Sequence, residues 1–206
     1  MRHQVSASGL GVRLRPVTLE DAAFIVWLRG LEHVRGKIGD SATTIAAQES
    51  WLQKYFERQG DYYFVIETER GYQVGAYGIY NVEGKSAESG RWIIRTDVPA
   101  AIPCAIVAFD LAFGELEMTE LRVKTVATNQ RVLSLNRKFG FRQTRVEPAA
   151  QIIGGQPVDL VNFLLEGRDW PRVRPTLLPL AKVAESQVRE WESMQTAPFN
   201  ATPVLS

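Results

Sequence analysis

Asn129-Gln-Arg-Val-Leu-Ser-Leu-Asn-Arg-Lys-Phe-Gly-Phe141 is the stretch on which the fold turns. It follows Leu121-Arg-Val-Lys-Thr-Val-Ala-Thr128, a strand-like run. Asn129 is suited to cap a helix, and Val132, Leu135 and Phe139 fall at helical spacing. Gly140 stands where a helix end needs a left-handed residue. A strand therefore leads straight into a capped helix, and Gly-Phe opens another strand.

Working upstream, Ala100 to Phe113 is apolar nearly all round, with Asp110 its only charge, and reads as a helix buried against a sheet. Pro103 fits such a helix only near its first turn, which places the start close to Ala100. Three strands precede it: Tyr62 to Thr68, Tyr72 to Tyr80 and Ala87 to Arg95. The turns Glu69-Arg-Gly71 and Asn81-Val-Glu-Gly84 are short, so these strands pair antiparallel. Val12 to Val17 alternates in strand fashion, and Thr18-Leu-Glu-Asp21 forms a variant capping box. That box opens a helix through Phe24, Ile25, Trp27 and Leu28. A charged, glycine-containing loop spans Gly30 to Thr43. Ile45, Gln48, Trp51, Leu52, Tyr55 and Phe56 then give a second helix its apolar stripe.

Downstream, Phe141 to Ile153 and Pro157 to Leu165 form a hairpin around Gly154-Gly155. The order is β-α-α-β-β-β-α-β-α-β-β, an α/β chain of the α+β kind, with a mixed, mostly antiparallel sheet flanked by helices. After Trp170 the character changes. Pro171 and Pro175 punctuate the chain, and Leu180, Val183, Ala184, Gln187, Val188 and Trp191 mark an amphipathic helix. The expected division is a domain over 1–167, a helical extension over 168–195 and a disordered tail over 196–206.

The bulk composition excludes more than it selects. A chain of 206 residues, 45% hydrophobic and 23% charged, suits one soluble domain. A net charge of +1 gives no general reason to expect nucleic acid or an anionic membrane as partner. The single cysteine, Cys104, excludes an intramolecular disulfide and a cysteine zinc cluster, and its apolar surroundings suggest a buried, inert thiol. With only His3 and His33, no metal is expected. Met1 to Val5 holds no signal-peptide core, and no apolar run approaches the roughly 20 residues of a membrane span. The expected location is the cytoplasm.

The element order from Val12 to about Glu166, with the Asn129 to Phe141 segment, resembles the GNAT acetyltransferase superfamily. Ala87-Glu-Ser-Gly-Arg-Trp-Ile-Ile94, and Trp51 ahead of Tyr63-Phe-Val-Ile66, are similar to one branch of it. That branch contains ribosomal-protein N-terminal and nucleotide-aminosugar acetyltransferases. The resemblance implies a sheet splayed between its fourth and fifth strands, with acetyl-CoA as co-substrate and its pantetheine arm in the gap. Backbone groups at Ile93, Ile94 and Arg95 would pair with that arm. The pyrophosphate would sit at the helix N-terminus formed by Ala100, Ala101 and Ile102. The family's usual loop there carries Arg/Gln-x-x-Gly-x-Gly/Ala. Here no glycine occurs between Gly90 and Gly114, and Asp97 adds a negative charge.

The resemblance also implies roles for side chains, each with an ordinary alternative. Glu88 would be the general base, or else a solvated strand-end carboxylate. Asn136 stands seven residues after Asn129, where the family often has a tyrosine that protonates the leaving thiolate. An amide can hydrogen-bond sulfur but not supply that proton. Asn129 would contact coenzyme, cap its helix, or do both. Arg131 and Lys138 would meet coenzyme phosphates, or form a solvated helix face. Arg29, His33 and Arg35 would bind the acceptor, and their charge, with Lys37, suits a nucleotide-sugar diphosphate; a solvated loop is the alternative.

The expected activity is transfer of acetyl from acetyl-CoA to a primary amine by direct attack, without an acyl-enzyme. The acceptor would be a nucleotide-linked amino sugar or, as an alternative, a protein N-terminus. A third reading is a catalytically inactive GNAT-fold binding or scaffolding protein. The C-terminal helix would pack on its own domain or across a homodimer.

Overall fold

The structure, a computed structural model, describes residues 3–34, 36–38 and 42–195. Arg35 and the tail over 196–206 lie outside the described residues. Eight strands form one sheet in the order β1-β2-β3-β4-β5-β6-β8-β7. They are β1 (Ala7–Gly9), β2 (Val12–Pro16), β3 (Tyr62–Thr68), β4 (Gln73–Glu83), β5 (Ser86–Ile94), β6 (Glu120–Val126), β7 (Arg142–Ile153) and β8 (Gln156–Glu166). All neighbours pair antiparallel except β5 and β6. The sequence reading lacked β1, a three-residue strand of small residues with no apolar alternation.

Helices cover both faces. On one side α1 (Ala22–Arg29) and α2 (Ile45–Tyr55) pack their buried residues with Tyr63, Val65, Ala76 and Ile93 of the sheet. The capping box at Thr18 exists, its N–H and hydroxyl donating to Asp21 at 2.7 and 3.0 Å. It first closes a 3-10 turn, Leu19–Asp21, from which α1 continues. On the other side lie α3 (Ala101–Asp110), α4 (Gln130–Lys138) and α5 (Trp170–Ser193). The glycine hairpin is as the sequence implied, with Gly154 and Gly155 both at positive φ (57° and 77°) between β7 and β8. The β4–β5 turn, in contrast, falls later than Asn81, because β4 runs on to Glu83 and Gly84 makes the turn at φ 62°.

The C-terminal segment is one helix, and its prolines do not punctuate it. Pro171 lies in the first turn, while Pro175 and Pro179 are inside α5. All three are exposed; Pro171 costs no helical hydrogen bond, and the carbonyls that Pro175 and Pro179 leave without a donor belong to Pro171 and Pro175, on the side open to water. The buried seam is Trp170, Val173, Leu177, Ala181, Ala184, Val188 and Trp191, in steps of three or four along the face turned to the core. The stripe read from the sequence was partly out of phase, since Leu180 and Val183 are 45% and 58% exposed. Small Ala181 and Ala184 carry the seam there, where hydrophobicity alone points to their larger neighbours.

The sheet is splayed where the resemblance implied. β5 and β6 pair only from Ser86–Glu88 to Glu120–Arg122, after which both strands continue apart. A bulge on β5 accompanies the separation. Ala76 pairs with Ile93 and Gly78 with Gly90, so Arg91 and Trp92 together oppose Tyr77. Arg91 takes φ 50°, unusual for a side chain with a Cβ. It is held there by a bidentate ion pair with Asp61 and by the faces of Tyr80, Trp51 and Tyr63, 4.2, 5.3 and 5.3 Å away. Trp92 turns to the other face and packs against Phe139, Tyr77 and Phe109.

Candidate active site

The splay opens two adjoining cavities of about 170 and 360 Å³. Trp92, Ile93, Asn129, Val132 and Asn136 border both, so they form one continuous cleft. The smaller part lies toward α3 and the loop after α1, with His33, Ile94, Ala101 and Arg131 on its walls. The larger lies between β5 and β6, with Arg29, Glu88, Tyr80 and Thr125.

Strand pairing decides which backbone groups are open to the cleft. The Arg95 N–H donates to Val74 O at 2.9 Å, so Arg95 faces β4. By strand alternation the N–H and C=O of Ile94 face the gap, whereas Ile93, paired with Ala76, faces the sheet. Of the three backbone positions expected to receive an extended ligand, Ile94 is the open one. The Arg95 side chain is also engaged, hydrogen-bonded to Asp97 and lying between the rings of Trp27 and Trp191.

The glycine-free loop leads into α3 without left-handed backbone. Ala100 has φ −85°, and no residue from 96 to 101 has positive φ. The conformational freedom of glycine is thus not required here. The Ala100 N–H bonds Val98 O and Pro103 has none to offer, leaving Ala101 and Ile102 as the open amides of the first turn. No side chain caps this helix. Ala101 borders the cleft, while Ala100 is fully buried and Ile102 stands outside both cavities.

Across the gap, Asn129 caps α4 by accepting the Val132 N–H at 3.4 Å, and also borders the cleft. The cap and cleft-lining positions coexist. Arg131 reaches the cleft; Lys138, exposed in the last turn of α4, borders neither cavity. Asn136 points inward, 4% exposed, and its Nδ2 donates to Thr125 Oγ1 at 3.0 Å.

Glu88 projects into the larger cavity beside Lys124, whose Nζ is 3.8 Å from its carboxylate. Tyr80 pairs with Glu88 across β4 and β5. Burial, and then the charge of Glu88, push the Tyr80 hydroxyl above its ordinary pKa. Gly90 makes room for it, since a Cβ there would meet Tyr80 Oη at 2.5 Å. Cys104 is buried in α3, where burial pushes its thiol up and keeps it protonated.

Tyr80, Lys124 and Thr125 were not singled out from the sequence. Tyr80 is accessible to such reasoning once β4 and β5 are placed in register; Thr125 is not, because its partner lies on a helix eleven residues later. Among the described residues no group of three or more His, Cys, Asp or Glu is placed to hold a metal ion. None of their helices is long and apolar enough to cross a membrane.

A mixed sheet opened between two parallel strands, with a helix N-terminus at each side of the opening, defines an acyltransferase class of fold. The chain belongs to the acetyltransferase (GNAT) domain family, whose family model matches residues 12–142, and it is a GNAT acetyltransferase. Among solved structures, it is similar to a GCN5-related N-acetyltransferase from Brucella melitensis, with 17% identity, TM-score 0.75 and coverage of 87% of this chain and 86% of that one. RimJ of Mycobacterium smegmatis, in complex with CoA-disulfide, has 20% identity and TM-score 0.74, over 89% and 96% of the two chains. Spermidine N-acetyltransferase from Vibrio cholerae, in complex with CoA and spermine, has 17% identity and TM-score 0.72, over 79% and 99%. A search of curated proteins gives no match.

Proposed function

We propose that the protein transfers acetyl from acetyl-CoA to the primary amine of a negatively charged acceptor, a nucleotide-linked amino sugar, as in the branch resembled by its β5 sequence. The observation that carries the acceptor class is the charge around the larger cavity. Arg29, Lys37, Arg91 and Lys124 border it against the single carboxylate of Glu88. Arg91 is neutralised by Asp61, but the Arg29 Nε is buried without a hydrogen-bond partner among the described residues. A buried guanidinium donor calls for an anionic oxygen, and phosphate or carboxylate supplies it. A polycation such as spermine would meet Arg29 and Lys37 here, with Glu88 as the one carboxylate on this wall.

In this reading the pantetheine arm runs along the open edge at Ile94, and phosphate meets the amides of Ala101 and Ile102, with Asn129 and Arg131 opposite. Glu88 takes the proton of the attacking amine. The amine nitrogen bonds the thioester carbonyl carbon directly, so no protein nucleophile is needed.

Calorimetry with acetyl-CoA is the first test, and absence of binding at millimolar concentration overturns the enzyme reading. The second is thiol release with nucleotide-aminosugars, uncharged amino sugars, polyamines and short peptides. Preference for the nucleotide-linked amines is expected. Equal or better turnover of polyamines or peptides overturns the acceptor assignment.

A further inference from the structure

The cleft is bordered by a hydroxyl, that of Thr125, which accepts one hydrogen bond and donates none among the described residues. We propose that Thr125 donates the hydrogen bond that stabilises the departing coenzyme thiolate, with Asn136 as its positioning residue. This rests on the acetyl-CoA reading above.

A threonine hydroxyl carries one proton and two acceptor lone pairs. One lone pair of Thr125 receives Asn136 Nδ2 at 3.0 Å, so the proton points away from Asn136. It has no acceptor in any hydrogen bond of the described residues. Thr125 is 5% exposed, and what it borders is the cavity between β5 and β6. Among the described residues the proton is therefore left to the cleft.

Both partners sit on rigid elements. Thr125 is fixed by the pairing of β6 with β8, opposite Val161. Asn136 is held on α4, and its carbonyl accepts the Phe141 N–H at 3.0 Å. Trp92, Phe109, Val132 and Phe141 make the surrounding wall apolar. An unpaired thiolate there would be costly, because such a wall offers no replacement for its hydration. Lys124 borders the same cavity, but its Nζ is engaged with the Glu88 carboxylate at 3.8 Å. Two other hydroxyls border the cleft, but Ser89 Oγ is tied to the buried Tyr77 hydroxyl at 2.8 Å, and Tyr80 stands opposite Glu88, on the side of the base.

The step balances as follows. The amine nitrogen uses its lone pair to form the N–C bond, and the C–S bond breaks with its electron pair moving to sulfur. The surplus proton on nitrogen passes to Glu88, and the thiolate is held by the Thr125 O–H until it takes a proton from solvent. Thr125 remains a hydroxyl throughout, so its high pKa is no obstacle.

The test reads the thiol itself. Thiolate absorbance of enzyme-bound CoA, titrated against pH, gives the thiol pKa in the wild type, Thr125→Val and Thr125→Ser. The isosteric valine variant is expected to raise it by about one unit or more and to lower kcat by roughly 10- to 100-fold, with KM for acetyl-CoA unchanged. Thr125→Ser should restore both. CoA that binds Thr125→Val with an unmoved thiol pKa and unchanged kcat overturns the assignment alone. Failure of CoA to bind the wild type overturns the underlying acetyl-CoA reading.

Discussion

Arg95 and Asp97, two residues apart, close on each other through paired hydrogen bonds of 3.0 and 2.7 Å immediately before α3. This changes the meaning of the one acidic residue in the loop. An isolated Asp97 would repel phosphate at the α3 N-terminus; paired with Arg95 it is neutralised. The guanidinium is fixed in turn between Trp27 of α1 and Trp191 of α5, 5.3 and 5.2 Å away. An ion pair and two rings thus fix a loop that has no left-handed position for glycine to fill.

The Arg95 hydrogen bond holds the Asp97 carboxyl below the usual carboxylate range. A lowered pKa contributes stability that is complete above the unfolded value, about 4, and is lost as pH falls through the folded value. Asp97→Asn should therefore lower the urea midpoint at pH 7, and the difference from wild type should shrink in strong acid. A difference independent of pH would exclude the ion pair as its source.

Gly140 has φ +87°, and a Cβ there would lie 2.6 Å from Val173 Cγ2 on α5. Gly140→Ala combines left-handed strain with overpacking and should cost roughly 2–4 kcal/mol in urea unfolding. Adding Val173→Ala should relieve the steric share only. A loss below about 0.5 kcal/mol would contradict the close approach of α5 to this turn.

Tyr55 Oη accepts the buried Tyr63 N–H at 2.8 Å. Tyr55→Phe leaves that donor unpaired and should cost about 1–3 kcal/mol. Burial pushes the Tyr55 pKa up to about 12. This raised value favours folding fully below about pH 10, and the contribution disappears as pH rises toward the folded value. The wild type should lose stability over that interval more steeply than Tyr55→Phe, as followed by denaturant midpoints.

Glu88→Gln should reduce turnover by at least about 100-fold while calorimetry shows acetyl-CoA affinity retained. Unchanged turnover would remove Glu88 from the reaction and return it to the role of an ordinary partner of Lys124.

The sequence made the fold legible where local chemistry and tertiary structure agree. Asn129 and Gly140 bound a helix as their types demand, and Gly154-Gly155 makes the two-residue turn of a hairpin. Agreement ends where packing sets the answer. The phase of α5 depends on which small residue approaches the core, so Ala181 and Ala184 are buried and Val183 is not. Arg91 at positive φ has no local signature, because its conformation is maintained by Asp61 and three rings from other elements. At the site, Glu88, Asn129, Arg131 and Asn136 do converge on one cleft. Arg95 and Lys138 were read from position along the chain, which does not reveal that the Arg95 N–H is taken by Val74 O and that Lys138 is turned outward.

The strand order carries a consequence for how the molecule is made. β3 to β5 are laid down as neighbours and can zip together as each appears. β6 cannot, because it meets β5 over only Glu120–Arg122 and takes its long partner, β8, from a segment that begins at Gln156. Contacts of such separation form late, since the intervening loop must close first. One wall of the cleft is therefore stable only after nearly the whole chain exists. In pulse-labelled hydrogen exchange, the β6 and β8 amides should gain protection after those of β3 and β4, making the cleft the last part of the molecule to take shape.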